Sequence, residues 1–309
     1  MQVVRDLYRW PRPAQGCALT IGNFDGLHHG HQEMIKHLNE RAQECELISV
    51  LMTFEPMPLE LFCPHAAPAR LSSLREKIED ACAFGIDAFV RLRFDRVLAS
   101  LGAQAFMQTL LVEQLGVRYV IVGEDFHFAR EQEGDVNLLA AFGAEHGFEV
   151  EPMPAVMLDG ERISSTRVRA ALAAGDVALA RRLLGRDYRI SGRVAHGRQL
   201  GRTLGFPTVN LRMHRHVAPR YGVYAVRVQL ADGRQLYGAA SLGVRPTVAG
   251  RDCLLEVYLL DFEGDLYGQR INVRFESFIR PEINFDGLAA LTKQMHADVA
   301  AVRAVFEHS

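Results

Sequence analysis

The chain has 309 residues, 49% of them hydrophobic and 23% charged, a length that suits two domains rather than one core. Its 35 basic and 37 acidic residues leave a formal net charge of -2, which excludes a global pull toward nucleic acid or anionic lipid and confines any electropositive site to a local cluster. No apolar run approaches the roughly 20 residues of a membrane span, no charged-then-apolar leader opens the chain, and Cys17, Cys45, Cys63, Cys82 and Cys253 are scattered without C-x-x-C spacing. The expectation is a cytoplasmic protein with reduced thiols, neither disulfide-stapled nor zinc-bound.

From residue 17 to about residue 184, short apolar runs alternate with helix-spaced segments. The expected strands are Cys17 to Ile21, Leu47 to Thr53, Ala88 to Leu92, Arg118 to Val122 and Phe148 to Met153. Helical spacing lies between them, carried by Met34, Ile35, Leu38 and Ala42 and again by Phe106, Leu110, Leu111 and Leu115. Strand-then-helix alternation predicts an α/β domain with a Rossmann-like parallel sheet covered on both faces, its ligands held at the carboxyl ends of the strands.

The first strand runs into Gly22-Asn23-Phe24-Asp25-Gly26-Leu27-His28-His29-Gly30-His31 and then a helical pattern. His28 and His31 flank a glycine turn where free backbone N–H groups and the helix dipole favour a phosphate. A second candidate strand ends in Val122-Gly123-Glu124-Asp125-Phe126-His127-Phe128; Asp125 there is a candidate for holding substrate or metal, or a plain turn acid. Ile163-Ser164-Ser165-Thr166-Arg167-Val168-Arg169 opens another helix with three hydroxyls and places Arg169 one turn on. Each element alone also reads as a cap. Together they suit a triphosphate attacked at its α-phosphorus with pyrophosphate leaving, a reaction driven by positioning and charge neutralisation.

After about Leu184 the pattern changes to short strands separated by Gly, Pro and Asp. Gly222 to Ala231 and Arg234 to Leu242 flank Asp232-Gly233, a two-residue hairpin signal, and Leu254 to Leu260 and Ile271 to Ile279 add two strands. The expectation is a small antiparallel β-barrel, followed by a helix whose apolar stripe is Leu288, Leu291, Met295, Val299, Val302 and Phe306. The domains are set at 1–184 and 185–309.

Three features of this half carry chemistry. The stretch from Gly192 to Arg202, with Gly197, Gly201 and Arg202, is glycine-rich and cationic and suits phosphate, although it matches neither a Walker loop nor a dinucleotide fingerprint. Gly205-Phe206-Pro207-Thr208-Val209-Asn210 puts a hydroxyl and an amide oxygen two residues apart on one face, hard ligands for Mg²⁺ bound with phosphates, or else a rigid turn into a strand. Glu256 interrupts Leu254-Leu255-Glu256-Val257-Tyr258-Leu259-Leu260, where a general base for phosphoryl transfer would justify a carboxylate, and an outward-facing glutamate on a half-wet strand is the plainer reading. The seven arginines from Arg181 to Arg202 against the single acid Asp187 admit an RNA-binding stripe, but lack the aromatic interleaving of single-strand binders.

These residues, in this order and over nearly the whole chain, resemble the prokaryotic bifunctional riboflavin kinase and FAD synthetase family. The nucleotidylyltransferase half is matched by Gly22 to Gly26, His28 to His31, Phe54-Glu55-Pro56, Val122 to Phe128 and Ile163 to Arg169. The kinase barrel is matched by Gly205 to Asn210, Gly243-Val244-Arg245-Pro246-Thr247, Glu256, Asp261-Phe262, Asp265-Leu266-Tyr267-Gly268 and Arg280-Pro281-Glu282. The resemblance implies riboflavin and ATP giving FMN at the barrel, then FMN and ATP giving FAD and pyrophosphate at the α/β domain. It implies that Thr208 and Asn210 hold Mg-ATP, that Glu256 deprotonates the ribityl hydroxyl, and that Arg280 lies near the flavin. His28, His31, Ser165, Thr166 and Arg169 then serve ATP, with Gly22, Asn23, Gly30 and Ser164 beside them and Asp125 toward the flavin.

The chain departs from the family pattern at three places, one of them Val209 in Pro207-Thr208-Val209-Asn210 where the family has P-T-A-N, a change that points away from the proposed metal. Phe54-Glu55-Pro56-Met57-Pro58-Leu59 stands where the family has F-E-P-H-P-R, and Phe128-Ala129-Arg130 where it has F-G-R; an alanine at 129 does not easily take a positive φ. Two rivals are weighed against the resemblance. A nucleotidylyltransferase with a passive barrel is opposed by Glu256 and the Thr208/Asn210 pair. A flavin- or RNA-sensing regulator on degenerate domains is opposed by the near-neutral charge and the paired phosphate motifs. The expected partners are small molecules, with neither nucleic acid nor membrane among them, and monomer and weak self-association both stay open.

Overall fold

The computed structural model describes residues 1–196, 205–213, 217–247 and 250–307. It divides into two compact units, Met1–Pro68 with Ser72–Ser164, and Ala69–Leu71 with Ser165–Ser309.

The first unit contains β1 (Gln2–Val4), β2 (Cys17–Ile21), α1 (His29–Glu44), β3 (Ile48–Glu55), α2 (Pro58–Phe62), α3 (Leu74–Ala83), β4 (Ala88–Arg93), α4 (Arg96–Ala99) and α5 (Ala103–Phe106). It continues through a π-helical segment (Met107–Leu115), β5 (Val117–Gly123), α6 (Val136–His146), β6 (Glu149–Met153), and the small ribbon β7 (Met157–Leu158) and β8 (Glu161–Arg162). Six strands pair in the order β1-β4-β3-β2-β5-β6, all parallel. All five expected strands are there, with ends displaced by no more than two residues, and β1 joins as an edge strand of which only Val4 is buried.

The strands of this sheet are near-continuous apolar runs because both faces are covered. Leu19, Ile21, Val50, Met52 and Val90 pack with Phe106, Leu110 and Leu115 on one face. Ala18, Leu51, Phe89 and Ile121 pack with Ile35 and Leu38 of α1 on the other. The chain adds β3 and β4 on one side of β2 and then returns to place β5 on its other side, so β2 and β5 form a topological switch point with a crevice outside their carboxyl ends.

The second unit contains α7 (Ser165–Ala174), α8 (Val177–Leu184), β9 (Arg189–Arg193), β10 (Thr208–Met213), β11 (Gly222–Gln229), β12 (Gln235–Thr247), β13 (Gly250–Leu259), β14 (Arg270–Pro281) and α9 (Leu288–Glu307). Its strands run β10-β13-β12-β11-β14-β9, antiparallel throughout. A bridge between Ala195 and Asn210 brings the two edges together into a near-closed barrel. Tyr224, Val226, Leu242, Leu255, Val257, Val273 and Phe275 alternate inward and are fully buried. Across the outer face lies α9, with Val302 packed on Ala225 and Leu260.

Two sequence expectations, the two-residue hairpin and Leu288 in the buried stripe, differ from the structure. The β11–β12 hairpin closes on the three residues Ala231, Asp232 and Gly233, because Leu230 and Arg234 still exchange a backbone bond (2.9 Å) and Gly233 takes φ +89 to turn the chain. Leu288 is not part of the buried stripe. It stands at the first turn of α9 and is 56% exposed. Asp298, on the other hand, is buried in that helix, for a reason that lies in the site below.

Candidate active sites

The loop from Gly22 to His28 leaves the carboxyl end of β2 and is bound down at nearly every residue. Phe24 and Leu27 are fully buried at φ +45 and +39, a conformation that costs of order 1–3 kcal/mol per residue and persists where surroundings over-determine it. The Asn23 carbonyl accepts from Lys77 Nζ (2.7 Å) and Thr53 Oγ1 (3.2 Å), and the buried Asp25 carboxylate accepts from the backbone N–H (3.0 Å) and hydroxyl (3.2 Å) of Ser72. Gly26 N–H donates back to the Ser72 hydroxyl at 3.0 Å. Lys77 is itself fully buried on α3.

That loop delivers two imidazoles to the start of α1. His28 is the N-cap, its Nδ1 accepting from the His31 N–H at 3.4 Å, so neutral His28 carries its proton on Nε2. The two rings stack 3.7 Å apart, and Phe24 meets His31 edge-on at 5.1 Å. Gly30 matters because a Cβ there would press on the His28 ring at 3.3 Å. Capping thus uses one nitrogen of His28, Nδ1, to organise the helix end, and sets the ring beside the N–H groups that open α1.

At the end of β5, Asp125 is held by Arg162 of β8 in a two-pronged pair (2.7 and 2.9 Å). That hydrogen-bonded guanidinium holds the Asp125 carboxyl below the usual range. Arg162 carried no signal in the sequence, since it lies on a two-residue strand 37 positions from Asp125. Ala129 does take the conformation an alanine disfavours, φ +68 and ψ -169. Phe128 and Gly134 exchange backbone hydrogen bonds (3.0 and 3.1 Å) across this turn and keep it so. Met57 is buried, whereas Leu59 and Phe62 on α2 are exposed, with Phe62 edge-on to Phe94 at 5.7 Å.

Ser164 ends the first unit; Ser165, Thr166 and Arg169 lie in the first turns of α7. Arg169 Nε donates to the carbonyl of Ala69 at 2.7 Å.

In the barrel, register places the candidate residues in one row on the outer face. Asn210 of β10 is opposite Glu256 of β13, Glu256 opposite Ser241 of β12, Ser241 opposite Val223 of β11, and Val223 opposite Arg280 of β14. Directly paired residues share a face. Asn210 is 4% exposed; among the described residues its Oδ1 has no hydrogen-bond partner, while Nδ2 donates to the Thr208 carbonyl at 3.4 Å. Thr208 is half-buried on the same face, two residues along the strand, and Glu256 is half-buried between its neighbours. At the far end, the Arg280 guanidinium is taken up by Asp298 of α9 (2.7 and 2.7 Å), Gln294 adds a donor to that carboxylate (2.9 Å), and Phe285 lies beneath the cation at 5.8 Å. This is why α9 buries an acid. Gly243 leaves the space that the Glu282 carboxyl group fills.

Gly192 lies in β9 opposite Ile271, packed on Leu211, at the start of the glycine-rich stretch; Gly197, Gly201 and Arg202 lie outside the described residues. The arginines around it have partners inside the fold: Arg181 binds Asp187 (2.5 Å) and Glu276 (2.7 Å), and Arg193 donates to the Gly268 carbonyl (2.9 Å). No group of metal-ligating His, Cys, Asp and Glu side chains occurs among the described residues, so any cation site there needs oxygen donors of the Asn210 and Thr208 kind or oxygens brought by a ligand.

The comparisons with known proteins divide the chain as the two folds do. The family model for FAD synthetase matches residues 11–167, and that for riboflavin kinase matches residues 184–306. A bifunctional riboflavin kinase/FMN adenylyltransferase from Haemophilus influenzae is 45% identical over 306 residues, 99% of each chain. One from Pseudomonas fluorescens is 48% identical, covering 99% of this chain and 98% of its own, and one from Escherichia coli K12 is 46% identical with the same coverage. A crystal structure titled macrolide-efflux protein, from Streptococcus pneumoniae, superposes with a TM-score of 0.83 at 29% identity, covering 98% of this chain and 99% of that one. Among the described residues, no helix is long and apolar enough to cross a membrane.

Proposed function

The chain belongs to the bifunctional riboflavin kinase/FMN adenylyltransferase family, and from that premise we propose how its residues carry the two reactions. The activities are the family's: transfer of the γ-phosphoryl group of ATP to riboflavin, giving FMN, and transfer of the adenylyl group of a second ATP to FMN, giving FAD and pyrophosphate. Kinase chemistry belongs to residues 185–309 and adenylyl transfer to residues 1–184, a division supported by family matches that end at 167 and begin at 184.

The single observation that carries the kinase assignment is the outer-face register of Asn210 and Glu256. Glu256 accepts the proton of the terminal ribityl hydroxyl as its oxygen attacks the γ-phosphorus and ADP leaves. The buried Asn210 Oδ1, without a partner among the described residues, and the Thr208 hydroxyl on the same face fit a hard divalent ion such as Mg²⁺ bound with the nucleotide phosphates. When bound, such an ion neutralises phosphate charge. Arg280, committed to Asp298, meets the flavin as one half of an ion pair and shapes that end of the site.

For adenylyl transfer, a phosphate oxygen of FMN attacks the α-phosphorus of ATP and pyrophosphate leaves. His28 Nε2–H, His31 and the N–H groups opening α1 take up the negative charge that builds on the phosphates. Ser164, Ser165, Thr166 and Arg169 are further ATP-binding residues, and Asp125 acts through Arg162, whose orientation it holds. Gly22, Asn23 and Gly30 let backbone and imidazole come close. The reactions take place in the cytoplasm, where ATP is supplied.

The test is chromatography of riboflavin incubated with ATP, Mg²⁺ and the protein, wild type and Glu256→Gln. Wild type converts riboflavin to FMN and then FAD. Glu256→Gln lowers kinase kcat by about two to four orders of magnitude, the range for a lost general base, and makes FAD from added FMN at the normal rate. Wild-type kinase turnover in that variant would remove Glu256 from its role.

A further inference from the structure

The row across the barrel's outer face contains one polar side chain that neither reaction has yet used. Ser241 sits on β12 directly between Glu256 and Val223 and is exposed, so its Cβ is about 5 Å from that of Glu256. Resting on the assignment of Glu256 as base, we propose that Ser241 is a specificity-determining residue of the kinase site, its hydroxyl hydrogen-bonding an inner hydroxyl of the polyol chain on the flavin acceptor.

The direction of the acceptor follows from the order of side chains. Asn210 and Thr208, on the β10 side of Glu256, face the phosphoryl donor. In-line transfer puts the acceptor on the opposite side of the attacked phosphorus, so from its terminal hydroxyl at Glu256 the polyol leads away from β10. The next strand in that direction is β12, one spacing of about 4.8 Å away, a distance that a polyol covers within its own length. The residue standing there in register is Ser241. One strand further lies Val223, 6% exposed and apolar, and beyond it Arg280 neutralised by Asp298. Amide, carboxylate, hydroxyl, apolar surface and neutralised cation therefore follow one another in the order in which phosphate, terminal hydroxyl, polyol and flat ring would meet them. A hydroxyl is the suitable group at the polyol step because it both donates and accepts, and so pairs with an alcohol in either sense.

The experiment compares two acceptors on the full-length chain: riboflavin, and a flavin whose side chain is a simple alkyl of the same length with only the terminal hydroxyl. Phosphorylation kinetics are measured for wild type, Ser241→Ala, Ser241→Thr and Glu256→Gln. Ser241→Ala is expected to raise KM for riboflavin about three- to tenfold, the value of one neutral hydrogen bond, with kcat changed less than about twofold and KM for the alkyl flavin unmoved; Ser241→Thr restores the preference. An equal KM change on both acceptors, with Glu256→Gln slow, overturns the Ser241 contact and leaves the base assignment standing. Normal kcat in Glu256→Gln overturns both, because the row then no longer marks the acceptor.

Discussion

Ala129 holds φ +68 and ψ -169, a region that glycine alone enters cheaply, and does so in a turn closed by Phe128 and Gly134. An alanine there stores of order 1–3 kcal/mol of strain, and part of what glycine would relieve is lost again to the freer unfolded chain. Ala129→Gly is therefore expected to stabilise the first unit by about 1 kcal/mol, measurable as a higher midpoint in urea unfolding; a lower midpoint would mean that the turn is relaxed as it stands. Phe24 and Leu27 also take positive φ, +45 and +39, in the loop that leads into His28.

Elements meet in this protein through polar side chains on short spacers. Helix α3 reaches the Gly22–His28 loop through Lys77 and the residue before its cap, Ser72. Lys77→Met removes a charge-assisted bond to the Asn23 carbonyl worth about 1.5–3 kcal/mol. The expected result is a fall in adenylyl transfer and in the unfolding midpoint of the first unit, with riboflavin phosphorylation retained in the same sample. The β8 ribbon reaches the end of β5 through Arg162 and Asp125. Because the folded Asp125 pKa is depressed by Arg162, this pair contributes stability above the ordinary Asp pKa of about 3.9, and the contribution is lost as pH falls through the lower folded value. Carbon-detected NMR titration of Asp125 should show its midpoint rising toward the ordinary value in Arg162→Gln. An unmoved midpoint would separate the two residues.

For the molecule as a whole, two folds with different periodicities carry two reactions on one flavin, and the second consumes the product of the first. Removing one site should leave the other working. His28→Ala combined with His31→Ala is expected to stop FAD formation while FMN accumulates at the wild-type rate, followed by chromatography from riboflavin. FAD appearing at the normal rate would show that the two imidazoles do not handle phosphate.

Much of this was legible before any coordinates. Apolar runs such as Cys17 to Ile21 and the stripe around Leu38 record burial directly, because a strand or helix covered on both sides must be apolar at fixed intervals. The motifs at His28 to His31, Ser165 to Arg169 and Thr208 to Asn210 are local, and local chemistry survives in linear order. What distance along the chain conceals comes from the packing of separate elements against one another. Lys77 beneath Asn23, Arg162 on Asp125, Asp298 on Arg280, and the row from Asn210 to Arg280 each join residues from separate elements. Such pairs depend on strand register and on which face a helix buries, and no periodicity in one element records the identity of its neighbour across the sheet.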